Sequence, residues 1–110
     1  MQEEDFLSLT QDQLFIILGK ELSSNLVLPL DNDELKERGK IWFERMTFSF
    51  KTKICQSSFI LSITEEHDTA KLITGIADLI VSILPPHIAP FTVASIILKI
   101  GLKKFCNQRK

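Results

Sequence analysis

Three prolines within six residues, in Pro85-Pro86-His87-Ile88-Ala89-Pro90, cut the most apolar part of this chain in two. Proline lacks the backbone donor that a helix interior needs, and it pushes the residue before it toward extended backbone. The two halves therefore cannot join as one helix. Before the break, Leu72, Ile73, Ile76, Leu79, Ile80 and Ile83 recur at helical spacing, with Asp78 among them. After it, Val93, Ile96, Ile97, Ile100 and Leu102 do the same, and Pro90 suits the first turn of the second helix. The pattern predicts an apolar helical hairpin over residues 64–106, with one helix ending near Leu84 and the other running from Pro90 to about Phe105. Thr64-Glu65-Glu66-His67-Asp68 supplies a cap and first-turn acids for the first helix. Gly75 and Gly101 are expected to mark close helix contacts.

The segment before the hairpin carries two complete helix-start signatures. In Leu9-Thr10-Gln11-Asp12-Gln13-Leu14, Thr10 caps, Gln13 closes a capping box and Leu9 staples onto Leu14. In Leu30-Asp31-Asn32-Asp33-Glu34-Leu35, Asp31, Glu34 and the Leu30–Leu35 pair repeat the device. Two amphipathic helices are thus expected over 10–56. The first presents Leu14, Ile17, Leu18 and Leu22. The second runs from Asn32 to about Cys55 and presents Leu35, Trp42, Met46, Phe50 and Ile54, with Gly39 on the same side. Gly inside a helix costs about 1 kcal/mol relative to Ala, so Gly39 points to a neighbouring helix, or the Trp42 indole, packed over it. Asn25-Leu26-Val27-Leu28-Pro29-Leu30 reads as an extended apolar connector. Met46-Thr47-Phe48-Ser49-Phe50-Lys51 alternates as a strand would, but the 3.6-residue stripe continues through it, and helix is the reading adopted. Residues 59–63 are read as a helical turn.

Together these elements make an all-α, compact four- to five-helix domain with a central apolar C-terminal helical hairpin. At 110 residues the chain fits one domain, residues 1–110, with an acidic N-terminal arm over 1–9. Only 4 Gly and 4 Pro leave little room for a turn-rich β fold. The N-terminus lacks the basic start of a secretory signal, so the expected location is the cytoplasm. Cys55 and Cys106 are accordingly expected to be reduced, buried thiols; a disulfide tying the middle helix to the C-terminus fits the sequence but nothing signals it.

No catalytic, cofactor or metal constellation stands out. His67 and His87 are isolated, and neither sits near a cysteine at zinc-site spacing. The glycines at 19, 39, 75 and 101 form no phosphate loop. Asp78 reads as the edge of an apolar face. Lys36, Arg38, Lys40, Arg45, Lys51 and Lys53 interleave with Trp42, Phe43, Phe48 and Phe50, a pattern that can suit nucleic acid, but Glu34, Glu37 and Glu44 dilute the charge and the net charge is −1. No enzyme activity, cofactor, metal or nucleic acid is expected.

Leu14-x-x-x-Leu18-Gly19, Arg38-Gly39-x-x-Trp42-Phe43, Ile76-Ala77-Asp78-Leu79 and Lys99-Ile100-Gly101-Leu102-x-x-Phe105-Cys106 give the chain its texture. In these the sequence resembles short uncharacterised bacterial helical accessory proteins of signalling and conflict systems. The resemblance implies action through partners and carries over no site residue. The expected function is a non-catalytic protein–protein interaction module: an adaptor, immunity or regulatory component that binds another protein or a second copy of itself. Its expected partner surface is Phe91, Ile97 and Leu98, which do not share one narrow stripe. The alternative is a membrane-docking or membrane-active hairpin over 72–105, with Lys99, Lys103, Lys104, Arg109 and Lys110 on an anionic surface.

Overall fold

A computed structural model describes residues 8–23, 30–56 and 69–107. Among these residues the chain is all-α, with no strand and five helices: α1 (Gln11–Leu22), α2 (Asn32–Ile54), α3 (Thr69–Ile80), α4 (Pro90–Ile100) and α5 (Leu102–Asn107). Its radius of gyration, 13.7 Å, is close to the about 13 Å of a compact chain of this size. Residues 1–7 of the acidic arm, residues 25–29 of the connector, the turn over 59–63 and the Thr64–Asp68 start lie outside the described residues.

Both capping boxes form. The Thr10 hydroxyl accepts from the Gln13 amide at 3.1 Å while the Gln13 side chain accepts from the Thr10 amide at 2.8 Å. Asp31 and Glu34 exchange the same pair of bonds at 2.8 and 3.1 Å. Each cap satisfies amides that a helix start otherwise leaves to water, and is worth about 1 kcal/mol. The helix reading of Met46–Ile54 holds.

α1 lies along α2 at very close range, and two glycines make that approach feasible. A Cβ on Gly19 would overlap the Leu35 carbonyl, and a Cβ on Gly39 would overlap the Phe15 carbonyl. Each glycine therefore admits the backbone of the other helix. Gly39 meets a neighbouring helix as expected, and that neighbour is α1 backbone rather than the Trp42 indole. The buried side of α2 is Leu35, Gly39, Phe43, Phe50 and Ile54, so Phe43 takes the place expected for Trp42, which is half-buried. Phe43 is the hub of an aromatic cluster, 5.8 Å from Phe15, 5.6 Å from Phe50 and 6.3 Å from Phe105, centroid to centroid. Edge-on and tilted rings of this kind stabilise a core beyond their buried area.

The hairpin sits at the centre through α4. Thr92, Val93, Ala94, Ser95, Ile96 and Ile97 are all buried, six residues in succession. A helix has an outward side wherever neighbours do not cover it, so a fully buried run of nearly two turns marks a core helix. α3 buries one face only, Ile73, Ile76, Ala77 and Ile80, and packs it on α4. It ends earlier than expected, at Ile80, and Val81–Ile83 tighten into a 3-10 turn before extended Leu84 meets Pro85.

The C-terminal helix expected to run from Pro90 to about Phe105 is two helices. Gly101 has φ +101° with nothing within 4 Å of a Cβ built on it, so its role is conformational and it marks no close helix contact. A left-handed backbone that most side chains avoid ends α4 there. Its amide donates to the Ile97 carbonyl at 3.0 Å, and its own carbonyl accepts from the Phe105 amide at 2.8 Å as α5 begins. The turn folds α5 back so that Phe105, 2 % exposed, enters the core.

The turn also brings Cys106 to the end of α2. Cys55 and Cys106 form a disulfide, with Cα atoms 5.5 Å apart and a sequence separation of 51. This corrects the expectation of two reduced thiols. Closing a loop of this span removes chain entropy from the unfolded state worth about 4 kcal/mol.

Candidate functional site

The residues expected at a partner surface do not gather into an exposed patch. Ile97 is 0 % exposed and presents nothing to a partner. Phe91 and Leu98 are half-buried and pack against the same core cluster. The apolar excess of α4 that suggests a docking surface is used inside the chain, because α4 is covered by α1, α3 and α5. The membrane alternative depends on the same side chains, and the apolar faces of α3 and α4 are folded inward. No described helix is long and apolar enough to cross a membrane. Of the cations expected on an anionic surface, Lys99 and Lys104 are exposed; the Lys103 side chain, Arg109 and Lys110 lie outside the described residues.

The aromatics that suggest a nucleic-acid platform mostly turn inward too. Phe43 and Phe50 are buried, and the Trp42 ring lies 6.0 Å from that of Phe50. Lys51 sits 5.6 Å over the Phe105 ring, a cation–π contact at the rim of the core. Asp78 is exposed on α3, which fits its reading as the edge of the apolar face. His67 lies outside the described residues and His87 is exposed in the loop before α4. Among the described residues no three His, Cys, Asp or Glu side chains gather as a metal site would need.

Two features that the sequence pattern did not single out emerge. The first is polar. Ala89, the residue before α4, supplies no side-chain cap, and α1 supplies one across the fold. One oxygen of Glu21 accepts from the Ala89 amide at 3.2 Å, and the other accepts from the Thr92 hydroxyl at 2.8 Å. A carboxylate at this end also faces the positive end of the α4 dipole. Burial pushes the Glu21 carboxyl above its ordinary value of 4.5, and the Thr92 hydroxyl, the Ala89 amide and the nearby His87 pull it back in part. Both hydrogen bonds of the carboxylate run to the start of α4, so the cluster reads as a tertiary cap.

The second is apolar and faces outward. Phe48 is 81 % exposed and Ile41 43 % exposed, both on α2. They are seven residues apart, about 10 Å along the axis and on one side of the helix. Glu37, Arg38, Glu44, Arg45 and Thr52 share the exposed side. The other large apolar side chain on the described surface, Val81, belongs to the turn after α3. Single apolar residues on a surface are common, but a phenylalanine this exposed with an isoleucine aligned two turns away is a stripe. Its signal in the sequence is the alternation of Phe48 and Phe50. Once that segment is a helix, residues two apart stand on nearly opposite sides. With Phe50 in the core, Phe48 has to face away from it.

Comparison of the chain with protein-family models, with curated proteins and with solved structures finds no match.

Proposed function

We propose that this chain is a non-catalytic protein–protein interaction module, an adaptor, immunity or regulatory component, that docks through the outward side of α2. The observation that supports the reading is the exposure of Phe48, with Ile41 aligned behind it. Aromatic side chains dominate the binding energy of protein interfaces when they enter a desolvated pocket, and the charged residues around this pair resemble the polar rim that surrounds such an anchor. Contact with α1 and the Phe43 cluster holds α2 in place as one continuous helix of 23 residues. A helix presenting residues at i and i+7 into a groove is a recurrent mode of recognition.

Location enters the same proposal. The expected compartment is cytoplasmic, yet disulfides persist in oxidising surroundings and are rare where thiols are kept reduced. We infer a working compartment in which the Cys55–Cys106 bond forms.

The test is association that depends on Phe48, with another protein or with a second copy of the chain. Phe48→Ser and Ile41→Ser are expected to leave the helical circular dichroism unchanged and to abolish association. Lys53→Ser is the control: Lys53 is exposed on α2 but off the line of Ile41 and Phe48, and its loss leaves association intact. Association undiminished in Phe48→Ser, with the fold intact, moves the docking face elsewhere and removes the reading.

A further inference from the structure

Of the buried apolar side chains described, one belongs to α5: Phe105. All the others lie on α1–α4 or in the loop before α4. α5 has six residues, and a helix that short does not hold itself together in water. It is kept in place by what grips it from outside. The Phe105 ring packs 6.3 Å from that of Phe43, with the Lys51 ammonium over it. The next residue, Cys106, is bonded to Cys55 at the end of α2. Behind them the chain enters α5 through Gly101, where φ is +101° and nothing lies within 4 Å of a Cβ built there. Glycine takes up other backbone conformations readily, and the open space around this one leaves it room to turn. Both cysteines are half-buried, so their bond sits at the rim of the core, where a thiol can approach it.

We propose that the Cys55–Cys106 bond is a redox latch on α5. A dithiol reductant opens it in two exchanges. One thiolate of the reductant attacks a sulfur of the bond, forms a mixed disulfide and expels the other cysteine as a thiolate, which takes up a proton. The second thiolate of the reductant attacks the mixed disulfide, the remaining cysteine leaves in the same way, and the reductant departs as a disulfide. Two electrons and two protons have then passed to the chain. α5 turns out about Gly101, Phe105 leaves the core, and the Phe43 ring against which it packs is uncovered. α1–α4 stay folded, because the α1–α2 contact at Gly19 and Gly39 and the packing of α3 on α4 are made without α5. The latch is closed where the bond forms and opens on meeting the reductant, and it does not depend on docking through α2.

The experiment is reduction of the full chain with dithiothreitol, read by nuclear Overhauser contacts among the Phe rings, with alkylation to count free thiols. The expected result is loss of the Phe43–Phe105 contact on reduction while the Phe15–Phe43 contact, 5.8 Å between centroids, persists. Cys106→Ser shows the opened pattern without reductant. A second measurement uses linkage, with the chain at equilibrium in mixtures of reduced and oxidised dithiothreitol. Where reduction has already released Phe105, weakening the docked arm penalises the oxidised form alone. Phe105→Ala therefore moves the dithiol-to-disulfide ratio at half-reduction at least about tenfold toward easier reduction. Gly101→Ala, which strains the left-handed turn, moves it the same way. A bond that merely staples an arm docked in both states leaves the ratio unmoved, since both forms then bear the loss alike. An unmoved ratio in Phe105→Ala overturns the proposal, as does a Phe43–Phe105 contact that survives reduction. Loss of the Phe15–Phe43 contact along with it also overturns the proposal, because the bond then holds the whole domain rather than one arm. So does a chain with two free thiols before any reductant is added.

Discussion

α4 is almost wholly apolar and α2 is strongly charged, yet the candidate surface lies on α2. α4 places six consecutive residues in the core, so its composition reports its central position. α2 is long, mixed in charge and buried along one side only, and there an outward Phe48 has no role in the core. An apolar excess is therefore to be weighed against how many neighbours cover an element. On a helix enclosed by three others it is filling; on a helix with a free side, a single aromatic residue off the buried stripe carries more information.

The comparison breaks most sharply at Ile97. Ile97→Glu places an uncompensated charge among buried side chains and is expected to cost more than about 4 kcal/mol, enough to abolish the folded state. Denaturant melts showing a stable, folded variant would return Ile97 to the surface. Gly39→Leu comes next, at about 3 kcal/mol or more, because it forces the α1 and α2 backbones apart; a native melting temperature in that variant would mean that the two helices do not meet there. Cys106→Ser is expected to lose about 2–4 kcal/mol under oxidising conditions and to lose nothing further on adding reductant, whereas the parent chain drops to the level of the variant. Equal stability of parent and variant before reduction would show that the bond does not form.

Glu21 gives a smaller effect with a sign. Its carboxyl is raised on folding by burial, so folding favours the protonated form. The stability that this shift contributes is fully present below the ordinary carboxylate range and is lost as pH rises through the higher native value. Glu21→Gln should flatten that dependence, seen as denaturation free energies that fall less steeply from mildly acidic to neutral pH than those of the parent. Glu21→Ala leaves the Ala89 amide and Thr92 hydroxyl without their acceptor and should cost about 1–3 kcal/mol at all pH values. Phe48→Ser is the smallest: within about 0.5 kcal/mol of the parent. A large loss of stability would place Phe48 in the core and leave α2 no different in kind from α4.

The fold is legible in the sequence wherever the physics is local. The two capping boxes, the proline break, the extent of α2 and the helical character of Met46–Ile54 follow from hydrogen bonding and steric restrictions within a few residues. Gly39 announces a close neighbour for the same reason. The candidate face is less legible: aromatic character groups Phe48 with Phe43 and Phe50, although their spacing assigns them different sides of a helix. Phe91, Ile97 and Leu98 mislead because the width of an apolar stripe cannot tell a helix with excess surface from a helix with more neighbours.

By itself, then, the sequence determined where α1, α2 and α4 start and which two halves cannot be one, since propensity, capping and proline geometry act along the chain. Only the tertiary structure decided the rest. Burial of α4 depends on which helices enclose it. The Glu21 cap joins residues 68 and 71 positions apart. The disulfide depends on a left-handed Gly101 turning α5 back toward the end of α2. Each is a meeting of groups distant in sequence, and such meetings are fixed by packing the core rather than by any residue's preference for its own backbone.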